Sequence, residues 1–385
     1  MKELHLALIG GSQYDGLLDL LPAFETRTGY RLRVDVQLPH VELNERMARD
    51  LGRETGRYDL ISTHTKYCPS QAEHLRPLDD LASAEELADF VPRVLDLCRV
   101  EGRLMQLPRN LDARLLFYRA DLIEAPETWA AAAAQMVEHK RKGFYGFAFP
   151  GRHSGLFGTF YELLGAAGGG LFDADLRPIF NDAAGEWALE FLHRLHVVER
   201  VTPPDLFENW YYDEISDRFR RGDVLMVGDW PGFYGLYRQR ETCAVFDQFE
   251  VAVYPAGPAG LRRAYGGGHS LAIPQAARDP EGGLALAKYL TSVAVQWHEA
   301  QVGGHTPVRR SIFERVRAVQ AGRDARRMAA LEETINDCLM TPPKFARYPQ
   351  VEDVLWQGVQ SAMTGAQTPR EALASMERQV EEILQ

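Results

Sequence analysis

The sequence is poor in the features that mark membrane, redox or nucleic-acid proteins. Only four cysteines occur in 385 residues, at Cys68, Cys98, Cys243 and Cys338, and no pair has metal-ligand or CxxC spacing. A chain this long needs no disulfide staples, so cysteine usage leaves the compartment open. No apolar run approaches the roughly 18 residues that span a bilayer. No long basic run exists, and 54 acidic against 43 basic residues give a net charge of −11. An acidic surface repels phosphate backbones, so nucleic acid is not an expected partner. Internal repeats and low-complexity linkers are also missing. The opening MKELHLALIGG does not read as a signal peptide: its apolar run is short, His5 interrupts it, and no small-x-small cleavage site follows. Either the protein is cytosolic or a leader has been removed.

What is present is ordinary globular composition, 45% hydrophobic and 25% charged, long enough for two or three domains with separate cores. LHLALIGG and YRLRVDVQL alternate apolar residues and predict strands, and YDLIST predicts a third. Between them, 14–28 and 41–54 predict helices, the first broken or kinked at Pro22. This β-α-β-α-β order predicts a parallel sheet covered by helices. GRLMQLP, ARLLFYR, FYGFAF, DVLMVGDW and FEVAVYP predict further strands. Helices are expected at 155–166, 183–200, 211–221 and 280–301, and through most of the chain after Ser311.

The stretch YGGGHSLAIP, Tyr265 to Pro274, comes one residue short of the G-x-S-x-G nucleophile elbow. An elbow needs a strand, a sharp turn at the serine, and a helix. Pro274 would fall within the first turns of that helix, and it biases Ile273 towards extended geometry. HSLAIP therefore reads as a strand, and Ser270 as no nucleophile. The glycines then serve either a turn or a close backbone approach to a ligand. IGGSQYDG, with Asp35 further on, imitates a dinucleotide fingerprint, but Ser12 stands where the second motif glycine belongs. Asp213 and Glu214 are adjacent and diverge on a helix, so they form no glycosidase dyad. His193 and His196 are one turn apart, but no third metal ligand accompanies them.

Several segments in fixed order resemble one family, the extracellular solute-binding proteins of ABC importers, family 1, which includes maltose-binding proteins. They are LLDLLPAFETRTGYRLRVDV, YDLIST, LRPLDDL, GRLMQLPRNLDARLLFYRADLIEAPETWAAAAA, GDVLMVGDWP, GGGHSLAIPQAARDPEGGLALAKYLTS and GGHTPVRRSIFE. The resemblance implies an α/β fold of the two-lobed periplasmic-binding-protein type, with ligand held in the cleft. The expected lobes are 1–110 with 269–312, and 111–268 with 313–385 including the helical C-terminus. Chain crossings are expected near Asn110–Ala113, Ala264–His269 and Arg310–Phe313. It further implies a monomer that binds a sugar without a cofactor, metal or catalytic residues and partners the permease subunits of an importer. Its place would be periplasmic or at the cell surface. An enzyme, hydrolase or dinucleotide-dependent oxidoreductase, and a cytosolic sugar sensor are the rival readings.

Sugar recognition needs aromatic rings against C–H faces and planar polar groups on hydroxyls. Ligands in open α/β sheets sit beyond the carboxyl ends of strands. That rule points to Ser12, Gln13 and Tyr14 after the first strand, and to His64, Thr65 and Tyr67 after the third. The resemblance adds Asp112, Asp229, Trp230, Gly267, Gly268, His269 and Arg309, with Trp230 equally readable as a core residue. Arg109 completes the candidate set, and with Arg114, Arg152, His153, His269 and Arg309 it raises the question of an anionic ligand.

Overall fold

A computed structural model describes residues 2–12, 14–53, 56–79 and 83–385. The candidate Gln13 and the end of the expected helix 41–54 lie outside the described residues.

The first strand, Glu3–Ile9, explains the N-terminal lobe. Its alternation sends Leu4, Leu6 and Leu8 into one apolar cluster and Ala7 and Ile9 into another. Both faces of the sheet are thus buried, as a parallel core requires. Each fully buried leucine contributes about 1.5–3 kcal/mol of transfer free energy. Glu3–Ile9 pairs in parallel with Arg31–Leu38 and with Leu60–His64. His269–Ala272 then adds antiparallel to Leu60–His64, and Leu107–Pro108 closes the five-stranded sheet. The predicted parallel sheet is therefore mixed, because a late segment returns to its edge.

A second, four-stranded sheet builds the other lobe in the order Phe249–Ala252, Leu115–Arg119, Val224–Asp229, Tyr145–Ala148. The largest apolar cluster surrounds it. Between the two sheets runs a small three-stranded one, Leu339–Met340, Ala264–Gly267 and Asp112–Ala113. Gly267 pairs with Asp112 there, so two passages of chain from lobe to lobe lie side by side.

Pro22 does divide the expected helix 14–28: a 3-10 segment Asp15–Leu20 precedes the α-helix Leu21–Thr28, whose first turn holds the proline. The expected helix 280–301 is two helices, Pro280–Leu290 and Val293–Val302. Ser292 separates them because its hydroxyl accepts from the Val295 amide at 3.4 Å and caps the second. Ser270 is a buried strand residue whose Oγ donates to Gln106 Oε1 at 2.7 Å, which leaves no exposed nucleophile. Among the described residues, no helix is long and apolar enough to cross a membrane.

Candidate functional site

Three strand ends of the N-terminal lobe converge on one cavity. Gly10, Gly11 and Ser12 follow the first strand, Pro39 and His40 the second, and His64 ends the third. The facing wall comes from the other lobe: Ser154, Tyr211, Tyr212, Asp213, Trp230 and Phe233. Asp112, Tyr265 and His269, on or beside the crossing strands, complete the lining with Tyr14 and Lys66. Ser12 Oγ donates to the Asp213 carboxylate across the mouth, so the lobes touch at the rim. The remaining space is small, ≈ 70 Å³.

The N-terminal wall is built on three imidazoles. The rings of His40, His64 and His269 stand edge to face, with centroids 5.4, 5.3 and 5.1 Å apart. His269 Nδ1 lies 3.0 Å from the Tyr14 hydroxyl and 3.5 Å from Asp112 Oδ2. A proton on that nitrogen satisfies both oxygens and leaves Nε2 to accept from His40 Nδ1, 3.1 Å away. His40 then presents Nε2 as an acceptor, and this atom is buried without a partner in the protein. His64 Nδ1 accepts the Lys66 amide at 3.1 Å, so its other nitrogen carries the proton. Burial holds His40 and His64 well below the ordinary imidazole range. It also lowers His269, against the opposing pull of Asp112.

The C-terminal wall is aromatic. Trp230 packs at 5.2 Å from Tyr212 and 5.8 Å from Tyr265. Behind them the buried Arg114 guanidinium lies 5.5 Å from the Trp230 and Tyr265 rings and 5.7 Å from Tyr212. Arg114 is neutralised by Glu162 at 3.4 Å, and it donates to Thr159 Oγ1 at 3.1 Å and the Gly155 carbonyl at 3.0 Å. Burial pushes the Glu162 carboxyl up to about 7, with Arg114 and the Tyr265 amide pulling it down.

Of the candidates named from sequence, Ser12, Tyr14, His64, Asp112, Trp230 and His269 line this cavity. The others sit elsewhere. Arg309 faces away: its guanidinium stacks 4.3 Å from the Phe90 ring, pairs with Asp89 at 3.6 Å and donates to the Thr291 carbonyl. Arg109 is buried behind Tyr14, bonded to Glu299. Asp229 is fully buried, accepting from the Tyr237 hydroxyl and the Trp230 amide, so it orients the Trp230 turn from behind. Thr65 ties the crossing down, its amide donating to the Gly268 carbonyl at 2.9 Å. Tyr67 lines a separate groove. Gly267 and Gly268 are not among the residues that line the cavity. A Cβ on Gly267 would meet His64 Cε1 at 2.5 Å, and one on Gly268 the Asn110 carbonyl at 2.2 Å. They let the crossing strands and the His64 ring approach each other.

Sequence reasoning missed His40, Lys66, Ser154, Tyr211, Tyr212, Phe233 and Tyr265. His40 had a signal, since it follows the second strand as Ser12 follows the first. Among the described residues, no three His, Cys, Asp or Glu side chains are arranged to hold a metal ion.

The family model for bacterial extracellular solute-binding proteins matches residues 10–297. The chain belongs to that family. A probable ABC transporter-binding protein of Deinococcus radiodurans is 25% identical over 392 residues, spanning 97% of this chain and 91% of the relative. A mannitol-binding protein of Pseudomonas aeruginosa is 26% identical over 270 residues, spanning 66% of this chain and 60% of its own. Among solved structures, maltose-bound MalE3 of T. maritima superposes with a TM-score of 0.93 at 23% identity, covering 99% of this chain and all (100%) of that one. A solute-binding protein of Agrobacterium vitis with bound D-mannitol gives 0.84 at 20% identity, covering 100% and 98%. The fold of this solute-binding protein is thus the two-lobed one of that group.

Proposed function

We propose that this protein captures an uncharged sugar or polyol between its lobes and hands it to the permease of an ABC importer, from the periplasm or the cell surface. The observation that carries the reading is the jointly built cavity, imidazoles from one lobe facing aromatic rings from the other. Rings pack on C–H faces, while His40 Nε2, the Tyr212 hydroxyl and Asp112 suit guest hydroxyls; the first two are buried without protein partners. The hinge is assigned to the crossings near Asn110–Ala113, Ala264–His269 and Arg310–Phe313, dividing 1–110 with 269–312 from 111–268 with 313–385. Guest contacts on both lobes stabilise the closed form by their differential affinity.

Charge favours a neutral guest over an anionic one. Arg109, Arg114 and Arg309 each carry a carboxylate partner, and His269 sits beside Asp112. Neither Arg152 nor His153 lines the deep cavity, and Lys66, which does, is paired with Glu352. Among the described residues that line the cavity there is no guanidinium to grip a carboxylate or phosphate. The mannitol-binding relative and the sugar- and polyol-bound neighbours agree with this chemistry. Thermal-shift screening with neutral sugars, polyols, uronates and sugar phosphates tests it. Neutral compounds should raise the melting temperature; a response confined to the anionic ones would reject the neutral guest.

A further inference from the structure

Two of the cavities lined from both lobes share Ser154, and one ion pair joins a residue lining the first to a residue lining the second. Lys66 lines the deep cavity; Glu352 lines an outer groove of ≈ 600 Å³. Lys66 Nζ lies 3.0 and 2.7 Å from the two Glu352 carboxylate oxygens. The side chains are only 1% and 6% exposed. They come from opposite lobes. Lys66 follows the strand Leu60–His64, while Glu352 belongs to the helix Tyr348–Met363, packed on the helix His153–Ala166. The Tyr348 hydroxyl donates to Glu352 Oε1 at 2.9 Å, and the Tyr67 ring lies 4.9 Å from the Lys66 ammonium.

We propose that the Lys66–Glu352 pair is a partition that confines the guest to the deep cavity, selecting a single sugar ring or an open-chain polyol over longer saccharides. The inference rests on the carbohydrate reading of the cleft. In the outer groove, room is not what limits length. The outer groove shares Ser154 with the deep cavity and carries the Trp356 and His153 rings, 4.9 Å apart, where a second sugar unit would find an apolar face. A guest long enough to reach it must part the ion pair. That leaves an ammonium and a carboxylate in space from which water has been removed, and breaking a buried pair is far costlier than never forming one. In the open form both groups regain water, so the barrier exists only on closure. Burial pulls the Lys66 ammonium below its ordinary range while Glu352 pulls it back, as expected for a charge held by one partner.

The test is titration calorimetry with D-glucose, D-tagatose, D-mannitol, ribitol, maltose and maltotriose. It is run on the wild-type chain and on the Lys66→Ala/Glu352→Ala double variant. Circular dichroism checks folding, and Lys66→Gln/Glu352→Gln replaces the alanine pair if that fails to fold. Wild type should bind its best monosaccharide or polyol at least tenfold more tightly than maltose or maltotriose. The double variant should narrow that ratio tenfold or more. Wild type taking maltotriose as tightly as any monosaccharide, or an unchanged ratio in the folded variant, overturns the partition alone. Binding of none of the six overturns the carbohydrate reading and the partition with it.

Discussion

The two walls of the cleft solve one recognition problem with different materials. The N-terminal wall is polar and preset: Tyr14, His40, His64 and His269 hold one another by hydrogen bonds and edge-to-face contacts at strand ends. The C-terminal wall is an apolar platform of Trp230, Tyr212 and Tyr265, braced from behind by one buried ion pair. The first wall fixes which hydroxyls can bond, because its tautomers trace back to Asp112. The second supplies contact area with little directional demand. Damage to the first should therefore alter proton-linked selectivity, and damage to the second should alter affinity across all guests.

The brace gives the largest expected effect. Arg114→Met removes the cation beside Glu162, whose carboxyl, already pushed up to about 7, then takes up a proton; the lost ion pair and hydrogen bonds should cost about 1–3 kcal/mol at neutral pH, measured by urea unfolding. A loss under about 1 kcal/mol would make the brace dispensable. Next, Trp230→Ala should weaken every guest by roughly tenfold or more while the fold persists, read by calorimetry and circular dichroism. Unchanged affinity would return Trp230 to the core. The imidazole wall should show itself through pH. His40, His64 and His269 are held below their ordinary range in the closed form, so that form binds fewer protons than an open, water-filled cleft. Affinity should be level from pH 7 to 8. It should fall as pH drops below about 6.5, by at most about tenfold per unit for each histidine protonated on opening. His40→Asn should flatten that fall, and a profile unaltered by it would remove His40 from the linkage. Smallest of all, Arg309→Ala should change guest affinity less than about twofold, since Arg309 stacks on Phe90 outside the cleft.

Much of the framework was legible because its signals are local. Alternation marked Glu3–Ile9 and Arg31–Leu38, and Pro274 turned HSLAIP from an elbow into a strand. The site was legible where a residue ends a strand or lies in the loop after it, as with His64, Ser12 and Tyr14. Its C-terminal wall was largely hidden. Tyr211 and Tyr212 reach the cleft from the start of one helix and Ser154 from another, and no spacing joins them to His40. Charge misled in the same way. Arg109 and Arg309 look like anion ligands in sequence, but their partners Glu299 and Asp89 are brought to them only by the fold. Lys66 and Glu352, 286 positions apart, are the extreme case.

A crystal structure of the protein loaded with its best neutral guest from the calorimetric panel would settle how the two walls cooperate. The guest should touch the Trp230 platform and the His40–His269 wall at once, chemically unchanged, with Lys66 still bonded to Glu352. A guest held by one lobe alone, or lying only in the outer groove beside Trp356, would refute capture by closure around the deep cavity.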